Sequence, residues 1–346
     1  GQLYASWIKK QNDTTWALRY RSWSGKAWSE TRTIAEGGPG WFVNWADTPR
    51  LGKYAGADGP LVASWLVKSD RRNPYNHHLL LSQSDADGAG WSPPFHPHPV
   101  DVPAFFGLNR FVPLSDTTLL LVWMDGRTTQ VRDPRSGRLF PNPDGGLYLH
   151  AAELHPSGRI SGEAVLDRTI SPLCPIDAVR TPDGALVAYR DQQAGKEQDI
   201  AVIRYADGQW SESRIVHPDR WRFSHMVLEG PALDASGERV AVAWFSSPSD
   251  SARVQVALSG DGGRTFTPPV RVDNGQPIGK VDVSWTAGGR ALVSWVEKAE
   301  DGGRLMLSEV EMDGNIRRKQ AVATIPAEPA YGFPVLESAG RKALLF

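Results

Sequence analysis

Short apolar runs that end in an aromatic residue recur along the chain. They are LYASW to Trp7, LVASW to Trp65, LLLVW to Trp123, ALVAY to Tyr189, VAVAW to Trp244 and ALVSW to Trp295. Successive aromatics lie 58, 58, 66, 55 and 51 residues apart. A second apolar run follows each one (TWALRYRS, HHLLLSQS, GLYLHAAEL, DIAVIRYA, RVQVALS, RLMLSEV), then a Gly-containing turn and a shorter polar stretch. A further stretch precedes the aromatic run, as GPALDAS precedes RVAVAW and KVDVSWT precedes RALVSW. No helical period interrupts this pattern, so each unit reads as four strands. Four-stranded units repeated about an axis describe a β-propeller. A sandwich has no reason to repeat at this interval, and a solenoid rung is usually about half as long. The expectation is an all-β chain, 1–346, folded as one six-bladed β-propeller with four-stranded antiparallel blades. The terminal RKALLF reads as a seventh start that ends at Phe346. A ring hides its strand edges by pairing them, so both ends are expected in one blade.

Composition sharpens this picture. Fourteen Trp with 34 Gly and 26 Pro suit aromatic strands joined by tight turns. Hydrophobic residues are 40% and charged residues 22%, enough to bury a sizeable core. With 38 basic against 39 acidic residues and no basic block, nucleic acid is not an expected partner. No apolar run is long enough for a membrane-spanning helix. The single cysteine, Cys174, excludes an intrachain disulfide and any CxxC site. The opening GQLYASW starts inside a strand-like pattern without Met, as in a trimmed chain. No cofactor is expected. His77-His78 and His96-Pro97-His98 could suggest a metal, but no acidic partner is identifiable nearby and Pro97 stiffens the segment.

One turn carries a particular residue set. In LSGDGGRTF, Ser259, Asp261, Gly263, Thr265 and Phe266 are spaced S-x-D-x-G-x-T-F. An Asp can cap N–H groups in a turn, Gly supplies positive φ, and the aromatic fills the space beneath. Weaker relatives occur at Gly25 and Trp28, at Ser84, Gly88 and Trp91 with acids at Asp85 and Asp87, and at Asp207, Gly208 and Trp210. This pattern resembles the Asp box of the sialidase superfamily, whose members are six-bladed propellers. NWADTP, VWMDGR, AYRD and AVAWF are similar to an uncharacterised bacterial sialidase-like group. The resemblance implies an exported protein that binds a glycan or acidic sugar, and it places Asp boxes opposite the active site.

Propeller sites lie at one end of the channel, so the loops there hold the candidates. A sialidase clamps a sugar carboxylate with three arginines, because a planar fork pairs bidentately with it. It also uses a tyrosine nucleophile paired with a glutamate, and an aspartate as acid/base, departing from the usual two-carboxylate scheme. The resemblance offers Arg110, Arg127, Arg190 and Arg222 for the clamp, Tyr331 as nucleophile, Glu229 as its partner, and Asp47 or Asp70 as the acid. The family's first arginine motif, F/Y-R-I-P near the N-terminus, is missing; NRFVP around Arg110 is only an echo of it. Asp125 with Arg127, and Arg190 with Asp191, read either as local ion pairs or as parts of an anion-binding funnel. Trp41, Trp45 and Trp221 read as sugar platforms or as packing between blades. His225, near Arg222, is a polar candidate for proton transfer or ligand hydrogen bonds. Cys174 reads as a small buried side chain. The alternative to a hydrolase is a non-catalytic glycan- or protein-binding propeller, and a third possibility is a different enzyme on the same scaffold.

Overall fold

The structure, a computed structural model, describes residues 3–56, 58–70, 73, 75–85, 88–193, 195–224, 227–300, 302–326, 332–339 and 342–345. These residues form sheets of antiparallel strands and two single turns of 3-10 helix. The chain divides into two compact units, Gly1–Thr169 and Ile170–Phe346.

In the first unit, β1 (Leu3–Lys10), β2 (Trp16–Trp23) and β3 (Arg32–Gly37) form one sheet. β4 (Arg50–Lys53), β5 (Leu61–Lys68) and β6 (His77–Gln83) form a second, extended by single bridges at Leu81–Phe95 and Ser84–Trp91. The third is a four-stranded meander of β7 (Phe106–Pro113), β8 (Leu119–Asp125), β11 (Tyr148–Leu154) and β12 (Ile160–Asp167). A two-stranded ribbon, β9 (Gln130–Arg132) with β10 (Leu139–Pro141), interrupts it between β8 and β11. That ribbon accounts for the 66-residue step in the sequence period.

The second unit repeats the meander three times. Its sheets are β13 (Asp177–Thr181), β14 (Gly184–Arg190), β15 (Ile200–Ala206), β16 (Gln209–Trp210) and β17 (Arg214–Ile215); then β18 (Ala232–Ser236), β19 (Arg239–Ser246), β20 (Arg253–Ser259) and β21 (Val270–Arg271); then β22 (Pro277–Trp285), β23 (Ala291–Ala299), β24 (Gly302–Val310) and β25 (Ile316–Ile325). A hairpin of β26 (Leu336–Ala339) and β27 (Lys342–Leu345) follows.

The periodic aromatics from Trp65 onward sit on the second strand of their meanders and form the core, whereas Trp7 lies half-buried on β1, the first strand of its sheet. Trp123, Tyr189, Trp244 and Trp295 are fully buried, and Trp65 nearly so. A buried indole N–H needs an acceptor. Trp123 donates to Asp125 at 2.9 Å, Trp244 to Asp219 at 2.6 Å and Trp295 to Glu297 at 3.2 Å, while the Tyr189 hydroxyl meets Ser213 at 2.7 Å. An acid two residues after the aromatic therefore serves Trp123 and Trp295 alike.

The Asp261 turn joins β20 to β21. Ser259 Oγ donates to Asp261 Oδ1 at 2.7 Å and accepts from the Gly263 N–H at 2.9 Å. Asp261 also accepts from the Thr265 N–H at 2.8 Å and the Thr265 hydroxyl at 2.6 Å. Gly262 and Gly263 take φ of 69° and 80°, the left-handed region in which a side chain is strained. Phe266 packs into the cluster of Leu186, Val242 and Trp244.

Carboxylates stitch consecutive first strands in the second unit. Asp177 on β13 accepts from the Leu233 N–H at 2.8 Å, Asp234 on β18 from Trp285 at 2.6 Å, and Asp282 on β22 from Leu336 at 2.7 Å. Each bond satisfies a main-chain donor on the facing strand of the next sheet, which would otherwise be left unpaired.

Candidate functional site

Two loop carboxyls occupy matching positions, each just before the first strand of a sheet. Asp47 precedes β4 and Glu229 precedes β18, and in both a proline follows two residues on, at Pro49 and Pro231. Asp47 Oδ2 accepts from the Leu108 N–H at 2.9 Å, on the first strand of the next sheet. Glu229 Oε2 accepts from the Lys280 N–H at 2.7 Å, again on the first strand of the next sheet. Burial disfavours the charged form of both groups. It pushes Asp47 up to about 6 against the opposing pull of the Leu108 hydrogen bond, Arg50 and Arg110. It pushes Glu229 up to about 7 against Lys280 and Arg190. Both therefore exchange protons near neutrality, as a general acid or base must. Beside Asp47, the buried His77 ring stacks on Phe42 with centroids 4.4 Å apart, and its burial drops it to about 3.

The four arginines differ in what they have left to offer. Arg190 is fully buried. Its guanidinium donates to the carbonyls of Gln198, Glu229 and Phe245 at 2.8, 3.0 and 2.8 Å and lies 4.8 Å from the Trp221 ring centroid. It thus fastens a loop and the neighbouring sheet to its own strand, and its pairing is with carbonyls, not with Asp191. Arg127 makes a fork to its neighbour Asp125, with Nε to Oδ1 at 2.9 Å and Nη2 to Oδ2 at 2.6 Å, and its Nη2 lies 2.8 Å from Glu163. Burial works against the ionised Asp125, but Arg127 and His150 hold it below the ordinary carboxylate range. The local ion pair is what forms at Asp125–Arg127. Arg222 pairs with Glu197 at 3.0 Å yet keeps an exposed side chain. Arg110 on β7 is half-buried, donates to the Asn109 carbonyl at 3.1 Å and shares its field with Asp47.

Trp221 is 6% exposed, packed against Phe223 and Phe245 with Arg190 over its face, so it offers no open ring to a sugar. Trp41 is likewise buried against Trp65. Trp45 and Asp70 are half-buried in their loops. Asp191 is half-buried, bridged to Ile170, and its N–H donates to the Asp199 carbonyl. Cys174 is buried and donates to the Val227 carbonyl at 2.9 Å, the expected packing role. Tyr331, His225 and Asp87 lie outside the described residues. Arg110 and Arg127 belong to the first unit, Arg190 and Arg222 to the second.

His78, His96 and His98 form a cluster with ring centroids 5.3 to 5.7 Å apart. His98 uses both nitrogens on main-chain partners, Leu79 and Pro99. Among the described residues no group of three His, Cys, Asp or Glu is arranged to hold a metal ion.

Sequence reasoning missed the inner-strand acids Asp177, Asp234 and Asp282. Burial first, and then the charges of Asp177 and Glu337, push Asp282 up to about 7. The readable signal was an acid recurring on the strand before the aromatic run in the last three meanders, at IDAV, LDAS and VDVSW.

No protein-family model and no curated protein sequence matches the chain. Solved structures do. The intramolecular trans-sialidase from Ruminococcus gnavus, in complex with oseltamivir carboxylate, is similar at TM-score 0.50 and 9% identity, over 84% of this chain and 86% of that one. NanB plus Optactamide is similar at TM-score 0.50 and 11% identity, over 97% and 78%. Hadza microbial sialidase Hz136 aligns at TM-score 0.48 and 14% identity, over 93% and 68%. The first two likenesses show a sialidase-like fold and, at such identity, the fold alone. No helix among the described residues is long and apolar enough to cross a membrane.

Proposed function

We propose that the chain is an exported, glycan-active propeller of six blades, an exo-glycosidase that removes acidic sugars of the sialic-acid type. The observation that carries this reading is the matched pair of loop carboxyls, Asp47 and Glu229, whose dry surroundings raise them to about 6 and about 7. In this reading Asp47 protonates the leaving oxygen and Tyr331 attacks the anomeric carbon, with Glu229 accepting the tyrosine proton. Arg222, which keeps an exposed side chain beside Glu197, and Arg110 are the candidates for the sugar carboxylate, because the Arg127 and Arg190 guanidiniums are taken up by Asp125 and by main-chain carbonyls. The Asp261 turn is an Asp box. The name of one similar structure, an intramolecular trans-sialidase in complex with oseltamivir carboxylate, supports a glycan substrate.

The engagement of Arg127 and Arg190 favours a second reading, a non-catalytic glycan-binding propeller. Hydrolysis of a fluorogenic sialoside, measured beside calorimetric binding of free sialic acid, separates the two. Turnover abolished by Asp47→Asn supports the hydrolase. Binding without turnover on sialosides or other acidic glycosides supports the second reading.

A further inference from the structure

The seats of Asp47 and Glu229 are built by the same backbone device. Asp47 rests against Gly107, where an added Cβ would fall 2.1 Å from Asp47 Oδ2. Glu229 rests against Gly279, where an added Cβ would fall 2.4 Å from both Glu229 Cδ and Oε2. The residue after each glycine donates the hydrogen bond and is itself left-handed, Leu108 at φ 51° and Lys280 at φ 54°. Side chains rarely adopt that conformation, and such strain persists only where the surroundings enforce it. Each pair also interrupts its ladder. The register slips between Gly107 and Arg110 in β7, and between Gly279 and Asp282 in β22. A bulge re-aims groups that a regular strand would commit to its neighbour. Here it turns one N–H out of the ladder and onto a carboxyl.

We infer that the Gly107–Leu108 and Gly279–Lys280 bulges are positioning elements, two copies of one device that hold Asp47 and Glu229 in place for proton transfer. The glycine removes the Cβ that would fill the seat, and the left-handed residue supplies the N–H that fixes the carboxyl's orientation. Each seat lies beside two cationic side chains. Arg50, Arg110 and His77 neighbour Asp47, and Arg190 and Lys280 neighbour Glu229. The shared backbone geometry makes the two positions equivalent, and a pair of cations accompanies each. This inference rests on the proposed hydrolase for its kinetic consequence only; the seating itself can be tested without turnover.

The test is a carboxyl NMR titration of protein labelled with carbon-13 in the Asp and Glu side-chain carboxyls, with Asp47→Asn and Glu229→Gln assigning the two signals. Wild type is compared with Gly107→Ala and Gly279→Ala. The methyl group forces the carboxyl, the movable partner, out toward water. The titration midpoint of Asp47 should then fall by about one pH unit or more in Gly107→Ala, a tenfold change in proton affinity, with Glu229 unmoved. Gly279→Ala should do the reverse. Unchanged midpoints would overturn the inference, as would both carboxyls shifting together in each variant, which would report general loosening. If Gly279→Ala does not fold, Glu229→Ala is added to it. Restored folding supports the seat; because Gly279 lies at φ 95°, where any side chain is strained, failure to restore it passes the decision to the Gly107→Ala titration, in which an unmoved Asp47 midpoint rejects the seat. Loss of sialoside turnover plays no part in this readout, so a failed hydrolase reading and a failed seat give different results.

Discussion

Replacing Asp47 with asparagine should change how the stability of the protein depends on pH. Asp47 is buried, and its proton affinity rises from an ordinary 3.8 to about 6. A carboxyl held above its unfolded value stabilises the folded state fully only when protonated in both states, below about pH 4. That contribution is lost as pH rises through about 6, because the folded protein must then bury a charge. The interval between 3.8 and about 6, at about 1.4 kcal/mol per pH unit, sets the loss at about 3 kcal/mol above pH 7. Asparagine carries no charge at either pH, and its amide oxygen can still accept from the Leu108 N–H. The assay is urea unfolding of both proteins, followed by tryptophan fluorescence, at pH 4.5 and pH 8. Relative to wild type, Asp47→Asn should gain about 1–2 kcal/mol between the two conditions, since pH 4.5 already lies above the unfolded value, the lower figure allowing for water entering the seat. An identical pH dependence in the two proteins would refute the reasoning. So would a variant that loses ground at pH 8, since Asp47 would then be a stabilising anion.

Three further outcomes follow from the geometry. Arg190→Leu should cost about 3–5 kcal/mol, or abolish soluble expression, because three carbonyls lose a buried donor; a clamp arginine would weaken ligand binding with little change in melting temperature. Asp261→Ala should lower stability by about 1–3 kcal/mol through the lost bonds to Ser259 and Thr265, as read by chemical denaturation. Those bonds hold Asp261 at about 2 although burial works in the other direction, so the difference from wild type should persist above pH 4 and fade as pH falls toward 2. Trp244→Ala should cost about 3–5 kcal/mol in the same assay, since it empties a fully buried site and leaves Asp219 without its indole donor.

Strand order was legible because a sheet packed on both faces makes its central strand a continuous apolar run. Trp65, Trp123, Tyr189, Trp244 and Trp295 all fall on such strands. The outer strands were less legible. β16, β17 and β21 are two residues long, too short for an alternation to register. At the candidate site, Asp125–Arg127 and Arg190–Asp191 look alike in sequence. Yet Arg127 turns back on its own carboxylate, whereas Arg190 reaches carbonyls 39 and 55 residues away. Residue type at a strand end does not encode that choice; the neighbouring sheet makes it. The inner-strand acids were missed for a related reason. Their acceptor role depends on donors 51 to 56 residues distant. Asp47 and Glu229 were reached through family resemblance, but Gly107 and Gly279, which seat them, stand out only once the bulges are seen.

The most direct test of the central claim is hydrolysis of a fluorogenic sialoside by the wild-type protein beside Asp47→Asn, Glu229→Gln and Tyr331→Phe, each first shown to be folded. The account predicts turnover by wild type and a loss of a hundredfold or more in kcat/KM for each variant. Turnover that persists in Asp47→Asn and Glu229→Gln, or a wild-type protein that binds sialic acid yet cleaves no acidic glycoside, would contradict it.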